Sequence, residues 1–368
     1  MAFTPPRTNM AHPVPLDLLA SLPKVDLHFH MAGTLRPPTL AQLADKHGLP
    51  LPRSTDALYQ YKDFYDFIDV LRLVGRSIRD ASDFERVAYE AIEDAASTSN
   101  ARHLEMSFNP QYFKGVAYRT QLEGLSEGIA AARRDFGVST LLIASLDREL
   151  SQQSAEETID DVLANRHELV VGVGLDGPEH AGPPAQFESL FARVGQAGLM
   201  RTAHACEDNQ TLEQAPPLHV HQCLNLLRCD RLDHGYNLLA DDAAVDEARA
   251  RGTCFCVCSI TSVTRNRARR LDAIERMKQA GLQLTVNTDD PAMFHTNLAH
   301  SYATVLEGCH WGWEEAKAFS LAGLEASWLD PLAKNVMRDE FRQQIAELDA
   351  RYQASVTDSS ADTSRGTP

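Results

Sequence analysis

Between Phe84 and Asp290 the chain alternates repeatedly between runs that read as helix and runs that read as strand. No other feature narrows its possible folds as much. Helical patterns at Phe84–Thr98, Gln121–Phe136, Ala155–Asn165 and Phe187–Ala197 precede short strand-like runs at Ala101–Phe108, Ser139–Ser145, Leu169–Asp176 and Leu199–Ala205. Further strand-like runs are Arg231–Gly235, Thr253–Ser259 and Leu282–Asp290, and Val25–His30 near the start makes eight. Several are continuously apolar, as parallel strands covered on both faces are. Eight strands separated by helices predict an α/β fold, a (β/α)₈ TIM barrel. A doubly wound open sheet is the alternative, but no Gly-x-Gly-x-x-Gly or phosphate-loop motif supports it.

The rest of the chain fits around that unit. Leu16–Leu22 and Thr39–Ala44 read as helix, and so does Tyr59–Ile78, in which Phe64 and Phe67 are candidates for a pocket mouth. Residues 1–15 carry several prolines, and residues 355–368 are Ser, Thr and Asp with almost nothing apolar. Both are expected to be flexible tails flanking one domain over 16–354. The 43% hydrophobic content supports a sizeable core, while a net charge of -16 repels phosphate backbones and anionic lipid. Nucleic acid and membranes are therefore not expected as partners. There is no 18-residue apolar run and no signal-peptide pattern. Seven cysteines, an odd number, suit a reducing cytoplasm better than a disulfide framework.

In such a barrel the chemistry sits at the C-terminal ends of the strands. Period-two alternation in Val25-Asp26-Leu27-His28-Phe29-His30 puts His28 and His30 on one face, with backbones about 6.6 Å apart. Alone, this pair is more simply two satisfied polar residues. However, the fifth strand ends in His204, followed by Glu207, the sixth ends in His234, and the eighth ends in Asp289-Asp290. Four imidazoles and three carboxylates are thereby expected at one mouth, and three His with one Asp suit a zinc ion that keeps a position open for water. Cys254, Cys256 and Cys258 share a strand face but cannot easily surround one ion, so a buried apolar role is expected for them.

These residues carry a resemblance. Leu22–His30 with Gly33-Thr34-Leu35, His204-Ala205-Cys206-Glu207, Arg231–Tyr236 and Asn287–Pro291 resemble, in order and spacing, the signature of the adenosine deaminase family. The resemblance runs from Leu22 to Trp328 and leans toward the adenine deaminase branch. It implies a (β/α)₈ barrel with one Zn²⁺, held at the C-terminal mouth by His28, His30, His204 and Asp289. It also implies that His234 and Asp289 orient a water and take its proton, and that Glu207 protonates a ring nitrogen. Gly177 and Asp290 would contact a purine, with His30 also facing the substrate. The activity implied is hydrolytic deamination of a 6-aminopurine (adenosine, adenine or a substituted relative) with release of ammonia.

Three positions depart from the family pattern. Ala32 stands where an acidic substrate-holding residue is usual, which predicts a different or larger substituent on the ring. Cys206 replaces a glycine, adding bulk and a thiol open to oxidation. The strand-seven signature becomes Cys258-Ser259-Ile260-Thr261-Ser262. Two other readings compete with the deaminase: a one-metal hydrolase acting on another amino-heterocycle, and an inactive ligand-binding barrel. A two-metal relative bridged by a strand-four lysine is excluded, because no Lys occurs between Lys114 and Lys278. Oligomeric state is not legible in the sequence.

Overall fold

The computed structural model describes residues 13–62, 64–261 and 267–363. Eight parallel strands form its centre: β1 (Lys24–His30), β2 (Ala101–Phe108), β3 (Ser139–Asp147), β4 (Val170–Asp176), β5 (Met200–Arg201 and His204–Ala205), β6 (Leu232–His234), β7 (Cys254–Cys258) and β8 (Gln283–Asn287). Each strand pairs with the next in chain order. Strand β5 is interrupted at Thr202-Ala203, where it stays bonded to both neighbours. Thr202 N donates to Val173 O in β4, and Ala203 O accepts from Asp233 N in β6. The barrel closes between the ends of β8 and β1, where His30 N donates to Asp289 O at 2.9 Å and Asp289 N to His28 O at 3.0 Å.

The helices wrap this barrel with their apolar stripes inward. Helix α1 is Leu16–Ser21, α2 is Pro37–Lys46, α3 is Phe64–Ser77, α4 is Ala81–Ser99 and α5 is Tyr118–Phe136. Helix α4 begins sharply because Asp80 and Asp83 form a reciprocal capping box. There follow α6 (Gln152–Ala164), α7 (Glu188–Gln196), α8 (Leu218–Gln222), α9 (Asp242–Arg251), α10 (Arg267–Gln279), α11 (Leu298–Gly308), α12 (Trp313–Ala326) and α13 (Pro331–Thr363). The segment 59–62, expected to be helical, is not; the helix starts at Phe64. Residues 355–363, expected to be tail, continue α13, since extending a formed helix carries no new nucleation cost. The expected tail residues 1–12 and 364–368, and Ser262 of the strand-seven signature, lie outside the described residues. Among the described residues, no helix is long and apolar enough to cross a membrane.

The bottom of the barrel is closed by charge rather than by hydrocarbon alone. Arg231, 1% exposed, ion-pairs with Glu105 and stacks on Trp328 with its guanidinium carbon 3.9 Å from the ring centre. Lys24 Nζ is buried and donates to Leu22 O at 2.5 Å. The mouth at the opposite end is where the barrel opens.

Candidate metal centre and active site

The strand ends bring the expected histidines together. Ring centres of His28 lie 4.9 Å from His30, 4.8 Å from His204 and 4.8 Å from His234. His28 Nε2 is 3.1 Å from His30 Nε2 and 3.2 Å from Asp289 Oδ1, and His30 Nε2 is 3.5 Å from the same oxygen. Donors held about 2.0–2.1 Å from a tetrahedral zinc stand about 3.3–3.4 Å from one another. The observed spacings match that edge. His234 Nε2 is buried with no hydrogen-bond partner. A group of nitrogens and carboxylate oxygens that point at one another, with one left orphaned, fits a cation.

Charge is divided unevenly among the histidines: burial opposes charging His28, but Asp233 and Asp289 raise it well above the usual histidine range. Burial, then the neighbouring imidazoles, hold His204 and His234 well below the usual histidine range, so both are neutral and keep a lone pair at pH 7. Burial would raise the Asp289 carboxyl, but His28 outweighs it and holds it well below the usual range. His28 Nδ1 stands 3.1 Å from Asp233 Oδ1, and Asp233 takes a hydrogen bond from Thr202 Oγ1 at 2.7 Å. A carboxylate behind a ligating histidine fixes the ring's tautomer and orientation. Asp233 carries no local sign of this role, since strand alternation turns its side chain away from His234. The third cysteine of β7 also comes closer than expected. Cys258 is buried, as foreseen, but its sulfur lies within 4.8 Å of ligand atoms of His28 and Asp289. Burial pushes this thiol well above its ordinary pKa.

Backbone strain marks the same site. Cys206, His234 and Asp289 have φ of 58°, 71° and 68°. Left-handed backbone at such residues costs about 1–3 kcal/mol each and persists only where the surroundings enforce it. The φ at Cys206 accounts for the glycine usual at that place. Its thiol corrects an expectation: Cys206 is 0% exposed, its Sγ meets Pro216 O at 3.2 Å, and burial raises its pKa well above the ordinary value. Oxidation proceeds through an accessible thiolate, so the expected sensitivity has no basis here.

Above the cluster lies a cleft of about 390 Å³, of a size that holds small ligands. Glu207 and Asp290 both line it, as does Gly177 (φ 86°), the first residue after β4. Glu207 Oε1 accepts from Asn209 Nδ2 at 2.5 Å and Arg270 Nη2 at 3.2 Å, and stands 3.7 Å from His234 Nε2. Neither hydrogen bond engages Oε2. Burial pushes the Glu207 carboxyl up to about 8 despite Arg270. Burial and the charge of Asp289 raise Asp290 well above the carboxylate range. In both acids burial favours the protonated form, the form that can donate to a ligand. One part of the wall is apolar, formed by Ala32, Phe67, Ile68, Leu71 and Phe294, while Asn109, Glu149, Asp176, His180, Gln210 and Gln214 make the rest polar. Phe67 is buried in the core, as most of this segment was read, and also lines the cleft, the alternative reading, while the Phe64 side chain lies outside the described residues.

Residues 23–344 match the family model for adenosine deaminase. An adenine deaminase of Rhodospirillum rubrum is 34% identical over 327 residues, covering 87% of this chain and 96% of the relative. A solved amidohydrolase from Burkholderia ambifaria with bound zinc superposes with a TM-score of 0.83 at 31% identity, covering 92% of this chain and 94% of that one. The structure of an adenine deaminase from Arthrobacter aurescens gives a TM-score of 0.81 at 31% identity, covering 88% and 99%.

Proposed function

Because this chain belongs to the adenosine deaminase family, we propose that it hydrolyses the exocyclic C6–N bond of a 6-aminopurine, using one zinc ion. The observation that carries this reading is the convergence of His28, His30 and Asp289 at 3.1–3.5 Å beneath a cleft that also contains Glu207 and Asp290. His28, His30, His204 and Asp289 would hold the metal. When bound, zinc supplies Lewis acidity that lowers the pKa of water toward about 7.

The chain's own residues do the rest. Asp290, protonated, donates to the acceptor nitrogen of the five-membered ring, and the Gly177 backbone N–H faces the ring nitrogen across the purine. Glu207 donates a proton to the ring nitrogen beside C6, which withdraws electron density from that carbon. His234 orients the attacking water and takes its proton. The water oxygen bonds to C6, the C6–N bond breaks as the amine leaves with the proton that His234 took from the water, and the remaining hydroxyl proton returns to Glu207 as the oxygen becomes a carbonyl. The product is the 6-oxopurine.

Asp290 is placed by close approach. A Cβ on Gly33 would lie 2.0 Å from Asp290 Oδ1 and 2.5 Å from its Cα, so no side-chain rotation relieves the clash. Gly33→Ala is expected to displace Asp290 and lower kcat/KM about 10²-fold, the scale of an ångström-sized misplacement. Steady-state kinetics check this, and an unchanged kcat/KM removes Asp290 from substrate binding.

Substrate choice follows from Ala32. Its methyl cannot hydrogen-bond a sugar hydroxyl, and with Phe67, Ile68, Leu71 and Phe294 it forms a wall suited to an apolar substituent. Adenine and adenines carrying an apolar substituent are expected to react faster than adenosine. The assay must follow the 6-oxopurine, because an N6-substituted adenine releases an amine in place of ammonia. A panel in which adenosine has clearly the highest kcat/KM refutes the inference from Ala32 and leaves the deaminase reading intact.

A further inference from the structure

Glu179 sits on the turn leaving β4, two residues after Gly177, and its side chain is 0% exposed. One oxygen, Oε1, accepts from the backbone N–H of Glu207 at 2.9 Å. The other, Oε2, accepts from the N–H of Cys206 at 2.9 Å and meets His219 Nδ1 at 2.8 Å. A carboxylate only accepts, so Nδ1 of His219 carries the proton. The link runs in the opposite direction as well, since Glu179 N donates to Gln210 Oε1 at 2.7 Å. Thus the turn that carries Gly177 and the loop that carries Glu207, at the ends of neighbouring strands, are tied together by one buried acid.

We propose that Glu179 is a positioning residue that fixes the proton donor Glu207 against the substrate; this rests on the reading of Glu207 given above. Two consecutive backbone N–H groups and an imidazole N–H converge on its two oxygens. No neutral side chain of that size can accept from all three. The amide of glutamine would face one of the N–H groups with its own NH₂, donor against donor. The left-handed backbone at Cys206 means that the loop does not hold its shape by local preference alone. The Cα of Glu207 is then located relative to Gly177 by Glu179 rather than by its own strand, which has ended at Ala205.

The test is a double-mutant cycle on the zinc-loaded enzyme. Glu179→Gln is expected to lower kcat about 10²-fold, with KM within a fewfold of wild type and zinc content unchanged. In a Glu207→Gln background the same substitution is expected to cost nothing further, because its target is already gone. Wild-type kcat in Glu179→Gln, or a full additional loss in the double variant, overturns the proposal while leaving the role of Glu207 standing. Full activity in Glu207→Gln alone overturns the underlying reading instead. If Glu179→Gln does not purify as a folded, metal-loaded protein, His219→Phe carries the same cycle: it removes one donor to Oε2, and its loss in kcat must again vanish in the Glu207→Gln background.

Discussion

Replacing Glu207 with glutamine is expected to lower turnover at least about 10²-fold, the usual scale for a general acid, while zinc remains bound. The substitution keeps the size of the side chain and the backbone N–H that Glu179 accepts. It also keeps an oxygen able to accept from Asn209 and Arg270, which both bond Oε1 in the native site. What it removes is the acidic proton. Glutamine can still touch a ring nitrogen with an N–H but cannot transfer that hydrogen, so C6 stays aromatic and poorly electrophilic. The loss should fall on kcat, with KM nearly constant, because the interaction removed is one that matters in the transition state. Metal analysis and kinetics on the same preparation check both halves. Full activity in this variant removes Glu207 from the mechanism.

How much of this site the sequence makes legible depends on how local each signal is. His28 and His30 declare themselves by period-two spacing, and His204, His234 and Asp289 by standing where apolar runs stop. The eight strands are legible for the same reason, down to one or two residues at most ends. The residues that were missed act through tertiary approach. Asp233 reaches His28 across 205 positions of sequence, and nothing in the chain near it announces that contact. Arg270 extends from α10 to Glu207, and Glu179 crosses from β4 to the loop after β5. The interruption of β5 at Thr202-Ala203 is invisible because Leu199–Ala205 reads as one run. The strain at Cys206, His234 and Asp289 is equally silent, although the expectation of glycine at Cys206 was a trace of it.

The assignment of ligands is where geometry leaves a sharp choice, and removing histidines one at a time resolves it. His204→Ala is expected to lose zinc, and turnover with it, because only two imidazoles and a carboxylate remain to hold the ion. His234→Ala is expected to keep zinc and lose at least about 10²-fold in kcat, since its role is to orient water and accept a proton. The contrast is worth measuring because His28, His204 and His234 also form a trio whose ligand atoms all lie within 4.8 Å of one another. His30, by contrast, reaches the cluster through His28 Nε2 at 3.1 Å and Asp289 Oδ1 at 3.5 Å. Zinc per chain, measured after exchange into metal-free buffer, separates the two arrangements. If His234→Ala is empty and His30→Ala remains loaded, the ligand place passes from His30 to His234. If His204→Ala is both loaded and active, the metal does not sit at this cluster, and the water it was to activate must be found elsewhere. The expected pattern is loss of metal with His28, His30 or His204 replaced, and loss of turnover alone with His234 replaced. Neither a purely structural cluster nor a ligand-binding barrel without chemistry would produce that pattern.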